Sequence, residues 1–145
     1  MWQLKFAILL CGIVANAKPK IAFTATLSKN TNVGYHEAVK YNRVLTNIGG
    51  AYHPWTGHFK VPYSGIYLIS CTAMSETKKP AYLQIVKNHQ VLTTIFSSTK
   101  TFPQSAQTLI LQLRRGDRVW VWGRYERLTL RDNSYFNVFS GALLH

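Results

Sequence analysis

Residues 41–71 read YNRVLTNIGGAYHPWTGHFKVPYSGIYLISC, and their spacing decides the fold. An aromatic residue, an asparagine and two further aromatics follow one another, and Tyr67, Ile69 and Cys71 then occupy every second position. Turn-forming residues separate these short runs, namely Gly49, Gly50, Pro54, Gly57, Pro62 and Gly65. Short aromatic-rich runs between frequent turns are typical of closely spaced β-strands, and they leave no room for a helix of useful length.

Similar runs continue along the rest of the chain. The pattern predicts strands near residues 21–27, 39–45, 59–61, 65–75, 81–87, 90–96, 104–113, 118–122 and 135–144. Nine or ten short strands with long crossovers favour an all-β, two-sheet jelly-roll sandwich.

The spacing within residues 41–71 resembles the signature of the complement C1q globular-head domain. Two more segments agree with it: LRRGDRVWV at 113–121 resembles the family's Gly-Asp turn entering a Val-Trp strand, and FSGALL at 139–144 resembles its closing strand. The resemblance covers about residues 21–144. It implies a jelly roll shared with tumour-necrosis-factor-like ligands, assembled as a threefold trimer. Ile69 and Cys71 replace usual aromatics, and these apolar exchanges leave the fold interpretation intact.

The first seventeen residues are predicted to be a secretory signal peptide. Lys5 gives a short basic start, residues 6–14 are apolar, and Ala15-Asn16-Ala17 fits an A-x-A cleavage site. This stretch is too short for a transmembrane span. We therefore expect a secreted, extracellular protein whose residues 18–145 form one C1q globular domain, with neither a collagen stalk before it nor a membrane span.

Loss of the leader changes the cysteine count and the charge. Cys11 leaves with it, so Cys71 becomes a single thiol among apolar neighbours, where an inert buried role is favoured over a redox role. Without Lys5, 16 Lys and Arg stand against five Asp and Glu, a net charge of +11. This excess favours anionic partners. We expect anionic or microbial glycans, such as lipopolysaccharide, and not nucleic acid.

Two predicted strands are apolar on both faces. In residues 65–73, Ile66 and Leu68 lie on one face and Tyr67 lies on the other, and residues 135–144 repeat the pattern. A sandwich strand with one solvated face should alternate apolar with polar residues. We therefore expect the second sheet to cover one face and a neighbouring subunit of a homo-oligomer to cover the other. Coverage by a loop of the same chain is the alternative.

The sequence contains no catalytic or metal-binding motif. Its histidines lack H-E-x-x-H or paired ligand spacing, and no serine lies in a G-x-S-x-G elbow. The five carboxylates are scattered along the chain, whereas calcium needs several oxygen ligands in one place. We expect no enzymatic activity, no metal and no cofactor.

The predicted binding surface consists mainly of arginines in the last third of the chain. If residues 125–131 are extended, Tyr125, Arg127 and Arg131 share one face. Guanidinium groups bind carboxylate, sulfate and phosphate bidentately, and aromatic rings stack on sugars. The candidate ligand-binding residues are Arg114, Arg115, Arg118, Arg124, Tyr125, Arg127, Arg131 and Trp55. A solvated surface that only keeps the protein soluble is the alternative.

Four local features allow more than one interpretation. Trp55, in a turn, is either exposed for contact or folded back over the end of the sandwich, and the second is slightly favoured. Trp120 and Trp122 alternate with two valines, so one pair packs inside. Residues 87–90 mark a hairpin whose His89 disfavours a tight turn with positive φ. Residues 115–117 read Arg-Gly-Asp, an integrin-type tripeptide, but the family's Gly-Asp turn explains them better.

These features predict a stalkless lectin-like pattern-recognition protein of innate immunity. It would bind anionic or microbial glycans through the arginines of residues 114–131, with avidity from oligomerisation. The alternative is a trimeric cytokine-like ligand for a host receptor, since one fold can serve both functions.

Overall fold

The structure, a computed structural model, describes residues 19–76, 78–101 and 103–145. The predicted signal peptide lies outside these residues and stays a prediction. The strands are β1 (Ala22–Thr26), β2 (Thr31–Val33), β3 (Arg43–Ile48), β4 (Tyr52–His53), β5 (His58–Lys60), β6 (Gly65–Met74), β7 (Ala81–Lys87), β8 (Gln90–Ser97), β9 (Gln104–Leu113), β10 (Arg118–Gly123), β11 (Leu128–Leu130) and β12 (Val138–Leu143). Within the described ranges, no helix has the length and apolarity that crossing a bilayer requires.

Ten of the strands form two antiparallel five-stranded sheets. The first sheet has the order β3-β1-β12-β6-β9 and the second has the order β4-β5-β10-β7-β8, while β11 and β2 form a short separate pair. The strand order crosses between distant parts of the chain, as in a jelly roll. The predicted all-β, two-sheet jelly roll is confirmed.

An aromatic cluster joins the two sheets at the centre of the core. The ring of Phe23 stacks on Tyr52 and Phe59 of the second sheet, with centroid separations of 5.0 and 4.8 Å. It also meets Phe139 of its own sheet edge-on at 4.9 Å. The aromatic residues whose spacing marks the sequence therefore pack the two sheets of the sandwich together.

Polar contacts fix the register of the aromatic residues. The side chain of Asn47 donates to the Tyr52 carbonyl and accepts from the Tyr52 backbone N–H, at 3.0 and 3.2 Å. The Tyr52 hydroxyl donates to the Tyr41 carbonyl at 2.8 Å. Cys71 is fully buried, with its sulfur 3.4 Å from the Tyr41 hydroxyl, and burial raises the pKa of this thiol to about 12. The prediction of a buried thiol is confirmed.

Two predicted strands begin later than expected. The strand expected at 39–45 starts at Arg43, because the chain at Val39 instead runs beside β10, where its N–H donates to the Val121 carbonyl at 2.7 Å. The strand expected at 135–144 starts at Val138. Before it, the buried Asp132 carboxylate accepts the backbone N–H groups of Phe136 and Asn137, which closes a turn. The short strands β2, β4 and β11 were not predicted.

The hairpin between β7 and β8 is tighter than predicted. Lys87 pairs with Gln90, so the loop contains two residues, Asn88 and His89, with φ of 49° and 66°. Positive φ at both positions is typical of a type I′ turn. The expectation that His89 disfavours a tight turn with positive φ is therefore wrong. Asn88 also accepts the Arg118 backbone N–H at 2.9 Å, which compensates for the strained backbone.

The outer face of the first sheet carries one apolar row across all five strands. Ile48, Ala22, Ala142, Leu68 and Ile110 lie side by side across the five strands. The Ile110 side chain is 59% exposed. The outer faces of β6 and β12 are therefore apolar only in part, because the neighbouring row across the same strands carries the hydroxyl groups of Thr24, Ser140, Ser70 and Thr108. No described loop of the same chain seals Ile110.

Gly141 offers a test of core packing. An added Cβ would lie 2.6 Å from Phe23 Cε1 and 2.9 Å from Ile69 Cδ1. We expect Gly141→Ala to lower the free energy of unfolding by about 1–3 kcal/mol, because the core has no room for one more methyl group. Urea denaturation measures this. The penalty should shrink in a Phe23→Leu background, and an equal penalty there would contradict the packing argument.

Candidate ligand-binding surfaces

The structure separates the predicted arginine surface into two ends of β10. Arg114, Arg115 and Arg118 flank the turn that precedes this strand, whereas Arg124 and Tyr125 follow its last residue. Six steps of about 3.3 Å place the Cα atoms of Arg118 and Arg124 roughly 20 Å apart. The candidate arginines of residues 114–131 therefore do not form one continuous surface.

The extended face expected for residues 125–131 is also absent. Arg127 has a left-handed backbone, with φ of 49°, and β11 starts only at Leu128. The alternation of side chains is therefore broken after Tyr125. Arg131 is half-buried just beyond β11, where its backbone N–H donates to the Met74 carbonyl at 3.0 Å.

At the first end of β10 lies a basic cleft of about 790 Å³. Its charged lining side chains, Lys60 of β5 and Arg115 of the β9–β10 turn, are both cationic, and His53 of β4 lies beside them. We call this site the basic cleft, and its lining residues are Gly49, Gly50, Ala51, His53, Lys60, Val61, Pro62, Tyr63, Arg115 and Gly116. Arg114 and Arg118 lie in the same turn region.

Backbone hydrogen bonds hold the arginine turn against the cleft. The Gly116 N–H donates to the Val61 carbonyl at 2.8 Å, and the Arg115 N–H donates to Ser64 Oγ at 3.0 Å. Gly116 has φ of 92°, a conformation that favours glycine. The turn therefore presents Arg115 from a fixed backbone.

The Asp117 carboxylate closes this turn from inside. It accepts the Arg114 backbone N–H at 2.8 Å and the Asn88 side-chain amide at 3.0 Å. The hydrogen bond from Arg114 is the main reason that the pKa of Asp117 lies below its usual value. Because both oxygens have partners within the protein, the Arg115-Gly116-Asp117 tripeptide is explained as a turn, not as an adhesive motif.

Trp55 is exposed, so the favoured expectation that it folds back over the sandwich is wrong. Its side chain is 88% accessible to solvent. The turn that carries it is well ordered by hydrogen bonds, since the N–H groups of Thr56 and Gly57 both donate to the His53 carbonyl at 3.2 and 2.8 Å. His53 lines the basic cleft two residues earlier. The indole is thus held out from a fixed turn next to this cleft.

The outer face of the second sheet is covered by tryptophan and histidine rings. Val119 and Val121 fill the core, and Trp120 and Trp122 point outward. His58 stacks on Trp120 at 4.3 Å and His36 stacks on Trp122 at 3.9 Å, so both indoles are nearly buried. The sequence could not assign the inner pair, and the structure decides it in favour of the valines.

The second end of β10 carries an exposed cluster of aromatic side chains. Tyr125 and its neighbour Arg124 were predicted from the sequence, whereas Tyr82 and Phe96 were missed. Tyr82 packs against Phe96 at 4.6 Å and against Tyr125 at 5.1 Å, and the Arg124 guanidinium lies 5.3 Å from the Tyr125 ring centre. We call these four residues the aromatic corner. Tyr82 and Phe96 are cross-strand partners in β7 and β8. Their apolar alternation was visible in the sequence, but their pairing was not.

Arg127 belongs to a third place, a cleft of about 520 Å³ beside β2 and β11. Its charged lining side chains have both signs: Glu37, Glu76, Lys78, Lys79 and Arg127. Mixed charge makes this cleft a weaker candidate for an anionic ligand than the basic cleft. Within residues 19–76, 78–101 and 103–145, no group of three or more His, Cys, Asp or Glu residues is arranged to hold a metal ion.

His58 should make stability depend on pH. Its Nδ1 is buried without a hydrogen-bond partner, and burial, followed by the charges of Arg118, His89 and His53, lowers its pKa below 6.5. The unfolded chain therefore takes up this proton first, so stability is complete above about pH 6.5 and falls as the pH drops towards the folded-state pKa. We expect the melting temperature of His58→Gln to fall less than that of the natural protein when the pH is lowered from about 7.5 to about 5.

A matched variant, His145→Gln, should behave like the natural protein, because His145 is the exposed last residue. An equal loss of melting temperature in the His58→Gln and natural proteins would exclude His58 as the source of the pH dependence.

Comparison with known proteins agrees with the fold. A family model of the C1q domain matches residues 22–144. Complement C1q tumor necrosis factor-related protein 3 of Mus musculus is 30% identical over 129 residues, which cover 86% of this chain and 51% of that protein. The chain spans about half the length, or less, of the curated relatives it matches first.

Two solved structures show the same architecture. The globular domain of zebrafish complement 1qA protein superposes with a TM-score of 0.71 at 22% identity, covering 87% of this chain and 98% of that one. Murine APRIL at pH 8.0 gives a TM-score of 0.67 at 12% identity, covering 86% and 99%. Together with the match over residues 22–144, the aromatic core and the strand order show that this chain belongs to the C1q domain family.

Proposed function

We propose that this protein is a secreted, lectin-like pattern-recognition protein of innate immunity that binds anionic or microbial glycans as a homo-oligomer. The observation that carries the proposal is the basic cleft, because its charged lining side chains include no carboxylate. A net charge of +12 for the whole chain, or +11 without the predicted leader, adds a long-range attraction for polyanions.

The cleft has the chemistry that an acidic sugar needs. Arg115 provides a planar guanidinium for bidentate contact with carboxylate, sulfate or phosphate, and Lys60 adds a second positive charge. Tyr63, which is about half-exposed, lines the same cleft and offers a ring for stacking. Lipopolysaccharide and sulfated glycans carry these anionic groups on sugar rings.

Oligomerisation would make weak sites effective on a repetitive surface. The outer face of the first sheet presents a continuous apolar row from Ile48 to Ile110, and burial of such a row against sister copies is favourable. The family resemblance adds the expectation of a threefold homotrimer. Several copies of the basic cleft on one rigid assembly would then bind one microbial surface with avidity.

A cytokine-like function is the second candidate, and one observation favours it. An 88% exposed Trp55 on a hydrogen-bonded turn is the kind of aromatic anchor that dominates protein–protein interfaces. A host receptor would contact this anchor, and its binding would depend on Trp55 more than on the cationic residues of the cleft.

The oligomer can be tested at Ile110. We expect Ile110→Glu to convert the assembly to a folded protomer, because the side chain is 59% exposed in a single chain and a buried carboxylate in an interface is unfavourable. Light scattering measures the mass. Val91→Glu, an equally charged change at an exposed apolar residue of the second sheet, should leave the mass unchanged. A natural protein that stays monomeric at high concentration would contradict the proposal.

Glycan binding can be tested with immobilised heparin and lipopolysaccharide. We expect the double variant Lys60→Gln/Arg115→Gln to bind at least about tenfold more weakly, since each lost charge-assisted hydrogen bond is worth on the order of 1.5–3 kcal/mol. Binding by the natural protein should also weaken steeply as salt rises.

A charge-matched variant, Lys29→Gln/Lys100→Gln, changes two exposed lysines outside the cleft and should retain most of the binding. Equal losses of glycan binding in the two double variants would show that binding depends on overall charge and not on the cleft. The cytokine-like function would be favoured instead if the protein bound neither glycan but captured a host receptor, and if Trp55→Ser abolished that capture.

A further inference from the structure

We propose that the aromatic corner is a second saccharide site, which binds a pyranose ring carrying a carboxylate, such as a hexuronate unit of a polysaccharide. The inference rests on the proposed function in assuming a glycan ligand. It uses different residues from the basic cleft, however, and lies at the opposite end of β10.

The corner presents two aromatic walls at a right angle. The rings of Tyr82 and Tyr125 are 5.1 Å apart with an interplanar angle of 89°, and Phe96 tilts against Tyr82 by 43°. Phe96 is 44% exposed and Tyr125 is 51% exposed. Phe96 and Tyr125, which both contact the Tyr82 ring, therefore remain open to solvent, unlike Trp120 and Trp122, which histidines cover on the same sheet face.

The corner is fixed before any ligand binds. Tyr82 and Phe96 stand directly opposite each other in β7 and β8, and the Arg124 backbone N–H donates to the Tyr82 carbonyl at 3.0 Å. This last bond holds the loop that carries Tyr125 against the sheet. A preformed site loses little conformational entropy on binding, which suits a small rigid ligand such as a sugar ring.

Strand addition by a protein partner is disfavoured at this edge. β8 is the last strand of the second sheet, but side chains of β9 bond its free carbonyl groups. Ser105 Oγ donates to the Phe96 carbonyl, and Gln107 Nε2 donates to the Thr94 carbonyl at 3.3 Å. Because these acceptors are already bonded, a ligand contacts the side chains of the corner and not its backbone.

The charge next to the rings selects an acidic sugar. The Arg124 guanidinium lies 5.3 Å from the Tyr125 ring centre, within cation–π range, and remains exposed. Glu126 and Arg127 follow in the chain with opposite charges, so Arg124 sets the local sign. A pyranose packs its C–H face on an aromatic ring and keeps its hydroxyl groups in water. A ring carboxylate can then pair with Arg124.

Three polymers separate the elements of this proposal. Polygalacturonate combines pyranose rings with carboxylates, dextran has the rings alone, and polyglutamate has the carboxylates alone. We expect Phe96→Leu to weaken polygalacturonate binding about two- to tenfold, because leucine keeps the apolar volume but has no ring face. Polyglutamate binding should stay unchanged in this variant. Arg124→Gln should also weaken polygalacturonate binding, and dextran should bind weakly throughout.

Two controls make the result decisive. Tyr125→Leu removes a second ring from a loop, so it tests the corner again if Phe96→Leu lowers the melting temperature. Lys60→Gln/Arg115→Gln should weaken binding of both polygalacturonate and polyglutamate, because the basic cleft binds negative charge and does not require a sugar ring. Biolayer interferometry with full-length mature protein measures all combinations.

The failures of the two proposals have different signatures. If Phe96→Leu and Tyr125→Leu both bind polygalacturonate as tightly as the natural protein does, the aromatic corner is not a saccharide site. The proposal for the basic cleft would be unaffected. A loss in Phe96→Ser that Phe96→Leu does not share would also overturn the aromatic corner, because the surface would then serve general apolar contact. If the leucine variants lose polygalacturonate binding and the basic-cleft variant binds every polymer normally, the aromatic corner is supported as a site. The basic cleft is then rejected as a site.

Discussion

The stacking of Phe23 on Tyr52 and Phe59 is the contact on which the rest of the molecule depends. It joins the first sheet to the second at the centre of the sandwich, and Phe139 completes the cluster from the neighbouring strand. Cys71 is a free, buried thiol, so within the part of the chain that the structure describes no disulfide shares this role. Burial of each such side chain contributes about 1.5–3 kcal/mol, and packing of this kind must therefore hold the sheets together.

Because the core uses one face of each sheet, the two outer faces remain available and differ in chemistry. The outer face of the first sheet has an aliphatic row that includes Leu68 and Ile110. The outer face of the second sheet has aromatic rings from Trp120 at one end to Phe96 and Tyr125 at the other. An aliphatic face suits association with sister copies, whereas rings bordered by arginine suit sugars. In the proposed function, assembly and recognition would therefore use different faces of the sandwich.

The scarce carboxylates are used mainly to close turns. Asp117 accepts the Arg114 backbone N–H, Asp132 accepts those of Phe136 and Asn137, and Glu37 accepts that of Gly34. Turn closure by short acidic side chains is common where backbone N–H groups lack a strand partner. Of these three, only Asp117 lies beside the basic cleft, in the turn that carries Arg115.

The sequence by itself determined the family, the two-sheet fold, the buried thiol and the strands β7 and β9, whose ends were predicted to the residue. The family followed from a resemblance of three segments to known motifs, whereas the strand ends depend on local alternation and turn residues. Only the tertiary structure decided where the binding residues lie. It separated Arg118 from Arg124 by the length of β10, turned Arg127 out of line through its left-handed backbone, and exposed Trp55. It also brought Tyr82 and Phe96 beside Tyr125, because a site composed of residues from three distant segments exists only once the strands have paired.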